Sequence, residues 1–417
     1  MNGAKTYMVF ALFLGLDIYS MNKILEFLKK EAVLCAAVFI AVVTAFFVKP
    51  DKEYIGYVDL RTLAILFSLM CVMAGLQSLG VFKKIAGDML KSVKSERSIV
   101  FILVLLCFFF SMLITNDVAL ITFVPFTFTT LELLGQDKYR KLVIPVVVLQ
   151  TIAANLGSML TPLGNPQNLY LYGKLETDFF SFIRIMIPYT AASLVLVACG
   201  VLVFTRGAKA AESGEVKSQK EETPATSDGT NRLTLTEMFA KSGTRYHVLL
   251  ILYLLLFMVA LLTVIRVLPY EIMFFITLIM VLIADKKTIL KVDWSLLLTF
   301  VGFFVFIGNM GRVPAFSEAL SKIITGRETY TAIVSSQVIS NVPAALLLSG
   351  FTDNIKALVI GTNLGGLGTL IASMASLISY KLAAARKDIP MGRYLGLFTA
   401  LNVFFLLVLT VLYVIIS

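Results

Sequence analysis

The sequence predicts an all-α polytopic membrane protein made of two inverted repeats of five transmembrane helices, each with one re-entrant hairpin and one broken helix. Three observations lead to this prediction. Hydrophobic residues make up 58% of the 417 residues and charged residues 15%, with a mean hydropathy of +0.89, whereas soluble domains average about 45–50% and 25%. Polar motifs interrupt the apolar sequence at corresponding points of two halves. Basic residues are also concentrated in alternate loops.

A membrane helix needs roughly 20 mostly apolar residues, and several segments meet this length. Full-length candidates are 31–48, 58–79, 142–163, 182–205, 246–267, 293–311 and 395–416. Shorter or interrupted candidates are 4–19, 271–284 and 355–384. Two further apolar regions, 98–134 and 328–351, carry a polar motif near the middle, with arms long enough to reach mid-membrane. We therefore predict that both are re-entrant hairpins.

The positive-inside rule supports this arrangement. If both hairpins return to the side they enter from, one face receives the loops 20–31, 80–98, 135–142, 206–245, 285–292 and 380–393. These loops carry 25 of the 36 Lys and Arg residues, which indicates the cytoplasmic face of an inner membrane. A hairpin that crossed the membrane would move every later loop to the other side and remove this asymmetry. The same arrangement places both termini outside.

Residues 206–245 divide the chain into a first membrane repeat, 1–205, and a second, 246–417. The central part of this segment is rich in Glu, Lys, Ser and Thr and lacks aromatic residues, which is typical of a disordered linker. Three pairs of motifs match in order across the halves: Val58-Asp59 with Val292-Asp293, Thr115-Asn116 with Ser340-Asn341, and Asn155-Leu156-Gly157 with Asn363-Leu364-Gly365. Five spans in each half, an odd number, imply an inverted second copy, so the hairpin tips would meet near the midplane from opposite faces.

The hairpin tips supply polar groups inside apolar sequence. Thr115, Asn116, Ser340 and Asn341 carry hydroxyl and amide groups. Carbonyl and side-chain oxygens suit a hard cation such as Na⁺, and helix N-termini suit an anion. A single buried Asn more often forms a hydrogen bond between two membrane helices, which contributes about 0.6–2 kcal/mol. The paired arrangement favours a binding site.

A broken helix is predicted after each hairpin, over 142–173 and 355–384. Prolines and glycines remove backbone hydrogen bonds in the first, where Gln167 and its polar neighbours offer replacements, and glycines loosen the second. The candidate site residues are Asn155, Gly157, Thr161, Asn165 and Asn168 in the first broken helix, and Asn363, Gly365 and Thr369 in the second. Ser373 and Ser376 continue a polar line from the second break. For Gly361 and Gly365, close helix packing is the alternative interpretation.

Asp117 is the one acidic side chain that the sequence places deep in the membrane, where an ionised group is costly. We expect it to carry a proton, bind a cation or contact Thr and Asn donors. The alternative is a structural cap at a helix start. Val342 occupies the corresponding position of the second tip, so any acid function belongs to one half only.

These motifs resemble the ion transporter superfamily, which includes divalent anion/sodium symporters, citrate transporters, arsenite permeases and one branch of sodium–proton antiporters. The resemblance covers nearly the whole chain. In the symporter branch each tip carries Ser-Asn-Thr, whereas Thr115-Asn116-Asp117 looks more like the arsenite permease and antiporter branches. The resemblance implies a homodimer with an elevator motion. It implies substrate or Na⁺ binding by the residues at matching positions, namely Thr115, Asn116, Gly157, Ser340, Asn341 and Gly365. Asp117 and Val342 depart from the Thr of the symporter pattern, and Asp117 is a further candidate for Na⁺ binding.

The sequence therefore predicts a secondary active transporter for a small anion, either a carboxylate or an inorganic oxyanion, with Na⁺ or H⁺ as the coupling ion and no other cofactor. The alternative is a Na⁺/H⁺ antiporter or an arsenite efflux permease that uses Asp117 as proton carrier. An enzyme is not expected, because intramembrane hydrolysis needs paired acids, a Ser–His set or metal ligands. Membrane topology explains the net charge of +10, so the expected partners are the substrate and the bilayer rather than nucleic acid.

Overall fold

The computed structural model describes residues 23, 27–28, 31–91, 93, 95–206 and 243–416. These residues form helices and connecting turns, and no β-strand occurs among them. The predicted span 4–19 and both chain termini lie outside the described residues. The same holds for the linker 206–245, of which only the two ends are described.

The first half contains nine fully described helices. They are α1 (Ala32–Phe47), α2 (Glu53–Tyr57), α3 (Leu60–Ser78), α4 (Val81–Lys91), α5 (Glu96–Phe110), α6 (Asn116–Glu132), α7 (Gln136–Ser158), α8 (Pro166–Lys174) and α9 (Phe179–Phe204).

The second half contains, within the described residues, nine α-helices and a 3₁₀-helix, Lys286–Lys291, that follows the second of them. The α-helices are α10 (Thr244–Val264), α11 (Tyr270–Asp285), α12 (Trp294–Gly311), α13 (Pro314–Ile324), α14 (Glu328–Ile339), α15 (Asn341–Leu348), α16 (Ile355–Leu364), α17 (Met374–Ala384) and α18 (Met391–Ile416).

The predicted spans within the described residues all correspond to helices. Six of these helices are long and apolar enough to cross a membrane, namely α3, α7, α9, α10, α12 and α18. Helix α1, with 16 residues, and helix α16, with 10, are shorter apolar helices. The protein is therefore an integral membrane protein whose described residues are all-helical.

The early end of α7 is a difference from the prediction that has a clear local cause. The sequence suggested a span over 142–163, but α7 ends at Ser158. Pro162 explains this end, because a proline ring clashes with the carbonyl four residues earlier, which belongs to Ser158. The next helix begins with Pro166 at its first position and Asn165 as N-cap, an arrangement that suits the fixed φ of proline.

The described residues fall into two compact units, each drawing on both halves of the sequence. In the smaller one, α1 packs along α12. A Cβ atom on Gly302 would lie only 3.0 Å from Ala37, so small residues allow the close approach of these two helices. Arg312, the residue that caps the end of α12, donates a hydrogen bond of 2.7 Å to the carboxylate of Asp51. This bond lowers the pKa of the Asp51 carboxyl.

The larger unit comprises 64–292 and 323–417 and is organised around α7. Every residue of α7 from Leu142 to Ser158 except Pro145 is buried. This helix packs against α5, α6, α9, α17 and α18. Its last two turns include four small residues, Ala153, Ala154, Gly157 and Ser158, and such residues permit close helix contacts where a membrane interior offers no hydrophobic driving force. The candidate site residues all lie in this unit.

Both regions predicted as hairpins are pairs of packed helices. Helices α5 and α6 form the first, and α14 and α15 form the second. Each hairpin is followed by an interrupted helix, α7–α8 or α16–α17, whose two segments are separated by a non-helical break. We name residues 159–165 the first break and residues 365–373 the second break.

Candidate functional site

The two hairpin tips share an unusual backbone conformation. Thr115 has φ 59° and ψ 146°, and Ser340 has φ 73° and ψ 155°. This region of backbone space is occupied almost only by glycine and costs roughly 1–3 kcal/mol for other residues. For the β-branched Thr115 it is a genuine outlier. The same strain at two matching positions indicates that the surrounding contacts hold both tips in place.

Each tip is held by the break that follows it. The backbone N–H of Asn116 donates to the carbonyl of Gly164 over 3.0 Å, and that of Asn341 donates to the carbonyl of Ala372 over 2.9 Å. The donors are separated by 225 residues and the acceptors by 208, in agreement with the spacing of the motifs that match between the halves. Two equivalent contacts thus tie a helix start to a break.

Two threonines make a second pair of equivalent contacts. The hydroxyl of Thr161 donates to the carbonyl of Met112, and the hydroxyl of Thr369 donates to the carbonyl of Gln337 over 3.0 Å. Each acceptor lies near the C-terminal end of the first helix of its own hairpin, where a helix leaves carbonyls without helical partners. The predicted residues Thr161 and Thr369 therefore bind the hairpin to the break.

The two predicted glycines lie where the broken helices cross the hairpins. A Cβ atom on Gly157 would overlap the backbone carbonyl of Phe108 and lie 2.6 Å from Oγ of Ser111. A Cβ atom on Gly365 would lie 2.7 Å from Oγ of Ser336. Both glycines therefore allow a close approach of the two helices. For Gly365 this is the packing role that the sequence left open as an alternative, whereas for Gly157 the sequence raised no such alternative.

Asn155 links the first hairpin to the second break. Its Oδ1 accepts hydrogen bonds from Nδ2 of Asn116 over 3.1 Å and from Oγ of Ser373 over 2.8 Å. Its Nδ2 makes longer contacts, to Oγ of Ser376 over 3.4 Å and to the carbonyl of Gly366 over 3.5 Å. The side chain is 4% exposed. A residue of the first half is thus bound mainly by residues of the second.

Asn363 makes the reciprocal link to the first break. Its Oδ1 accepts from Nδ2 of Asn165 over 3.2 Å, and its Nδ2 donates to Oδ1 of Asn168 over 2.6 Å. Asn165 also donates to Oγ of Ser158, whose hydroxyl donates to the carbonyl of Asn155. The two Asn residues and their partners therefore form one continuous buried network. We call this set the crossed amide network.

Helix ends of both polarities meet at this network. The N-termini of α6, α8, α15 and α17 lie at the tips and breaks, together with the C-termini of α5, α7, α14 and α16. Helix N-termini carry partial positive charge and favour anions, whereas exposed helix carbonyls suit a hard cation. The helix ends at this network therefore include groups that suit an anion and groups that suit a cation.

The two tips differ in their side chains. The amide of Asn116 is engaged by Asn155 and by the backbone N–H of Asp117. The side chain of Asn341 makes no hydrogen bond within the part of the chain that the structure describes, although it is only 5% exposed. Asp117 is half-buried in the first turn of α6, where the helix dipole favours a carboxylate. The second tip has Val342 in its place.

Three polar residues of this region were not among the predicted site residues. Gln337 donates to the carbonyls of Gly365 and Leu367 over 3.0 and 2.9 Å, and its Oε1 accepts from the N–H of Thr369. Ser158 joins the crossed amide network. Gln167 is 1% exposed. A Gln within an apolar hairpin arm, three residues before the tip, is a sequence signal that could have identified Gln337.

Gln167 is a fully buried amide, and neither its Oε1 nor its Nε2 has a hydrogen-bond partner among the described residues. Leaving a buried polar group unpaired costs about 1–3 kcal/mol. If its amide contacts the transported species, Gln167→Met raises KM about tenfold, equivalent to about 1.4 kcal/mol, and also raises the melting temperature because Met removes the unpaired buried group. Thr277→Val in α11, which also removes a buried unpaired hydroxyl, serves as control. An unchanged KM with increased stability would assign Gln167 a packing role.

Comparison with known proteins identifies relatives over most of the chain. The family model described as "Citrate transporter" matches residues 24–357. Inner membrane protein YbiR of Escherichia coli K12 is 29% identical over 349 residues, which are 82% of this chain and 85% of that protein. An uncharacterised transporter of Methanocaldococcus jannaschii is 30% identical over 348 residues, 82% and 86% of the two chains. A silicon efflux transporter of Oryza sativa is 27% identical over 147 residues, which are 35% of this chain and 29% of that transporter.

Proposed function

Because the chain belongs to the citrate transporter family, and is thus a membrane transporter rather than an enzyme, we propose that it is a secondary active transporter for a small anion. The substrate would be a carboxylate or an inorganic oxyanion, and Na⁺ or H⁺ would be the coupling ion. The crossed amide network is the observation that carries this proposal. Buried amides and helix ends of both polarities supply donors for an anion and acceptors for a cation at one place.

The matching geometry of the two halves supports a single site that both halves build. Each tip donates its Asn N–H to a break, and each break is bound through Asn155 or Asn363 to the other half. We propose that the halves are inverted repeats and that the hairpins enter from opposite faces. A substrate between the tips would then contact equivalent groups from both sides, as is usual for transporters with inverted repeats.

We propose an elevator-type motion for the transport step. The tips, both breaks and the crossed amide network all lie within the larger compact unit, 64–292 and 323–417. A rigid-body movement of this unit would carry the whole site with it, so no hydrogen bond of the network would need to break. A homodimer, a cytoplasmic linker and termini on the outer side complete the proposed arrangement.

The second candidate function is a Na⁺/H⁺ antiporter or an efflux permease for a neutral oxyacid such as arsenite. Asp117 favours this candidate, since an ionised carboxylate at the first tip would repel an anionic substrate unless a cation or proton intervened. The partial match to a silicon efflux transporter points in the same direction. An uncharged oxyacid would not meet this repulsion.

Uptake into proteoliposomes distinguishes the two functions. Labelled citrate, succinate and phosphate are tested with an inward Na⁺ gradient, with an inward H⁺ gradient and with neither. The proposed function predicts uptake of at least one of these anions that depends on one gradient. If none of them enters while Na⁺ dissipates an imposed pH gradient, the chain is an antiporter. Movement of arsenous acid alone would identify the permease.

We expect Asp117→Asn to abolish H⁺ coupling and to leave the protein folded, because Asn keeps the shape of the side chain and removes the titrating group. Asp353→Asn, at an exposed turn before α16, is the matched control. The measurement is the pH dependence of transport between pH 5.5 and about 8.5, a window in which a membrane-embedded carboxyl can titrate. A pH profile identical to that of the parent protein would remove Asp117 from the coupling mechanism.

A further inference from the structure

A cavity of about 440 Å³ opens in the larger unit, at ends of α9, α16 and α18. This volume falls within the range of about 300–1,000 Å³ that is typical of small-molecule sites. Arg184 and Lys356 line it, together with Tyr189, Tyr413 and Asn354. Apolar side chains complete the wall. The crossed amide network contributes no residue to this lining, so the cavity is separate from the proposed transport site.

The lining is positively charged without a compensating acid. None of the lining residues is Asp or Glu. Within the described part of the chain, Arg184 and Lys356 form no ion pair, whereas Arg312 and Arg386 both pair with carboxylates. Tyr189 is 3% exposed, and its hydroxyl has no hydrogen-bond partner among the described residues. The cavity therefore presents two cations and a phenol donor to any occupant.

The position of the cavity corresponds to the edge of the membrane. Arg184 lies in the second turn of α9, a span of 26 residues, and Tyr413 lies in the last turn of α18, also of 26 residues. These two spans are the least buried of the six in the described residues, with 28% and 17% of their apolar windows inside the protein. Their outer faces therefore contact lipid, and Ile185 and Pro188 continue that apolar surface into the cavity.

We propose that this cavity binds the headgroup of an anionic phospholipid. The charge favours a phosphate group, which Arg and Lys both bind, and the apolar wall leading to lipid-facing helices favours acyl chains. Basic pockets between membrane helices recognise lipid headgroups on these same grounds. A free anion would use the two cations but would gain nothing from the apolar wall. The proposal does not depend on which substrate the transporter moves.

The test is thermal unfolding of the purified protein in detergent with added phosphatidylglycerol or, at the same concentration, phosphatidylcholine. We expect phosphatidylglycerol to raise the melting temperature by about 4 °C or more, and phosphatidylcholine to have no effect. Arg184→Gln and Lys356→Gln should each reduce this shift, and the double variant should remove it. Arg327→Gln, which neutralises an exposed cation outside the cavity, should retain the full shift.

Three results would overturn the proposal. The first is an equal shift with both lipids, and the second is a phosphatidylglycerol shift that the double variant retains. The third is a shift of the same size with soluble glycerol 1-phosphate or inorganic phosphate that the double variant abolishes, which would assign the cavity rather than the transport site to a free anion. Uptake assays in phosphatidylcholine vesicles report on transport separately, so a failure of the lipid site leaves the proposed function unaffected.

Discussion

Gly157→Ala is expected to abolish transport and to destabilise the protein, whereas Gly396→Ala stabilises it slightly. The added methyl group at position 157 would overlap the backbone carbonyl of Phe108, and a backbone carbonyl cannot rotate away as a side chain can. Overpacking of this kind costs about 1–3 kcal/mol or more. Gly396 lies inside α18, and no atom lies within 4 Å of the point where its added methyl group would stand. Alanine there gains about 0.5–1 kcal/mol of helix propensity.

Thermal unfolding and proteoliposome uptake of the two variants measure this contrast directly. Gly365→Ala provides a second comparison, because its methyl group would meet mainly the side chain of Ser336 rather than hairpin backbone. Its effect should lie between those of the other two. If Gly157→Ala matches Gly396→Ala in both melting temperature and uptake, the close contact between α7 and the first hairpin does not constrain the transporter.

Asn155→Ala and Asn363→Ala should each reduce transport below about 1% of the parent rate, with a loss of about 2–5 kcal/mol in the free energy of unfolding. Each replacement leaves several buried donors and acceptors without a partner, at about 1–3 kcal/mol per group. The control is Asn402→Ala. Asn402 is equally buried, but its Nδ2 donates only to the carbonyl of Phe398 within its own helix.

A double-mutant cycle separates the network from general destabilisation. Asn155 and Ser373 bond over 2.8 Å, so Asn155→Ala and Ser373→Ala should be non-additive, with a coupling energy of about 0.5–3 kcal/mol. Asn155→Ala and Asn402→Ala should add independently. Additivity in both cycles, or equal transport by Asn363→Ala and Asn402→Ala, would show that the crossed contacts have no functional role.

The apolar spans and the helix pair of each hairpin could be predicted from the sequence, because their signals are local. Runs of about 20 apolar residues determine the spans, and a polar pair within such a run marks each tip. The end of α7 at Ser158 was also implicit in Pro162, since the effect of a proline on the carbonyl four residues earlier is local. The predicted span over 142–163 overlooked this effect.

The pairing of the site could not be predicted in the same way. Asn155 and Asn363 were recognised as matching residues, but their matching positions do not reveal that each is bound by the other half. Ser373 lies 218 residues from Asn155, and this choice of partner depends on how the helices pack. The unpaired amide of Gln167 was equally hidden, because burial and the absence of a partner are properties of the folded chain.

The crossed amide network constrains how the protein can evolve. A substitution at Asn155 changes what Ser373 and Ser376 must supply, although these residues lie in the other half of the chain. The two halves therefore cannot diverge independently, and each must remain compatible with the other. In an alignment of relatives, position 155 should covary with positions 373 and 376 more strongly than with Asn165 and Asn168 of its own half.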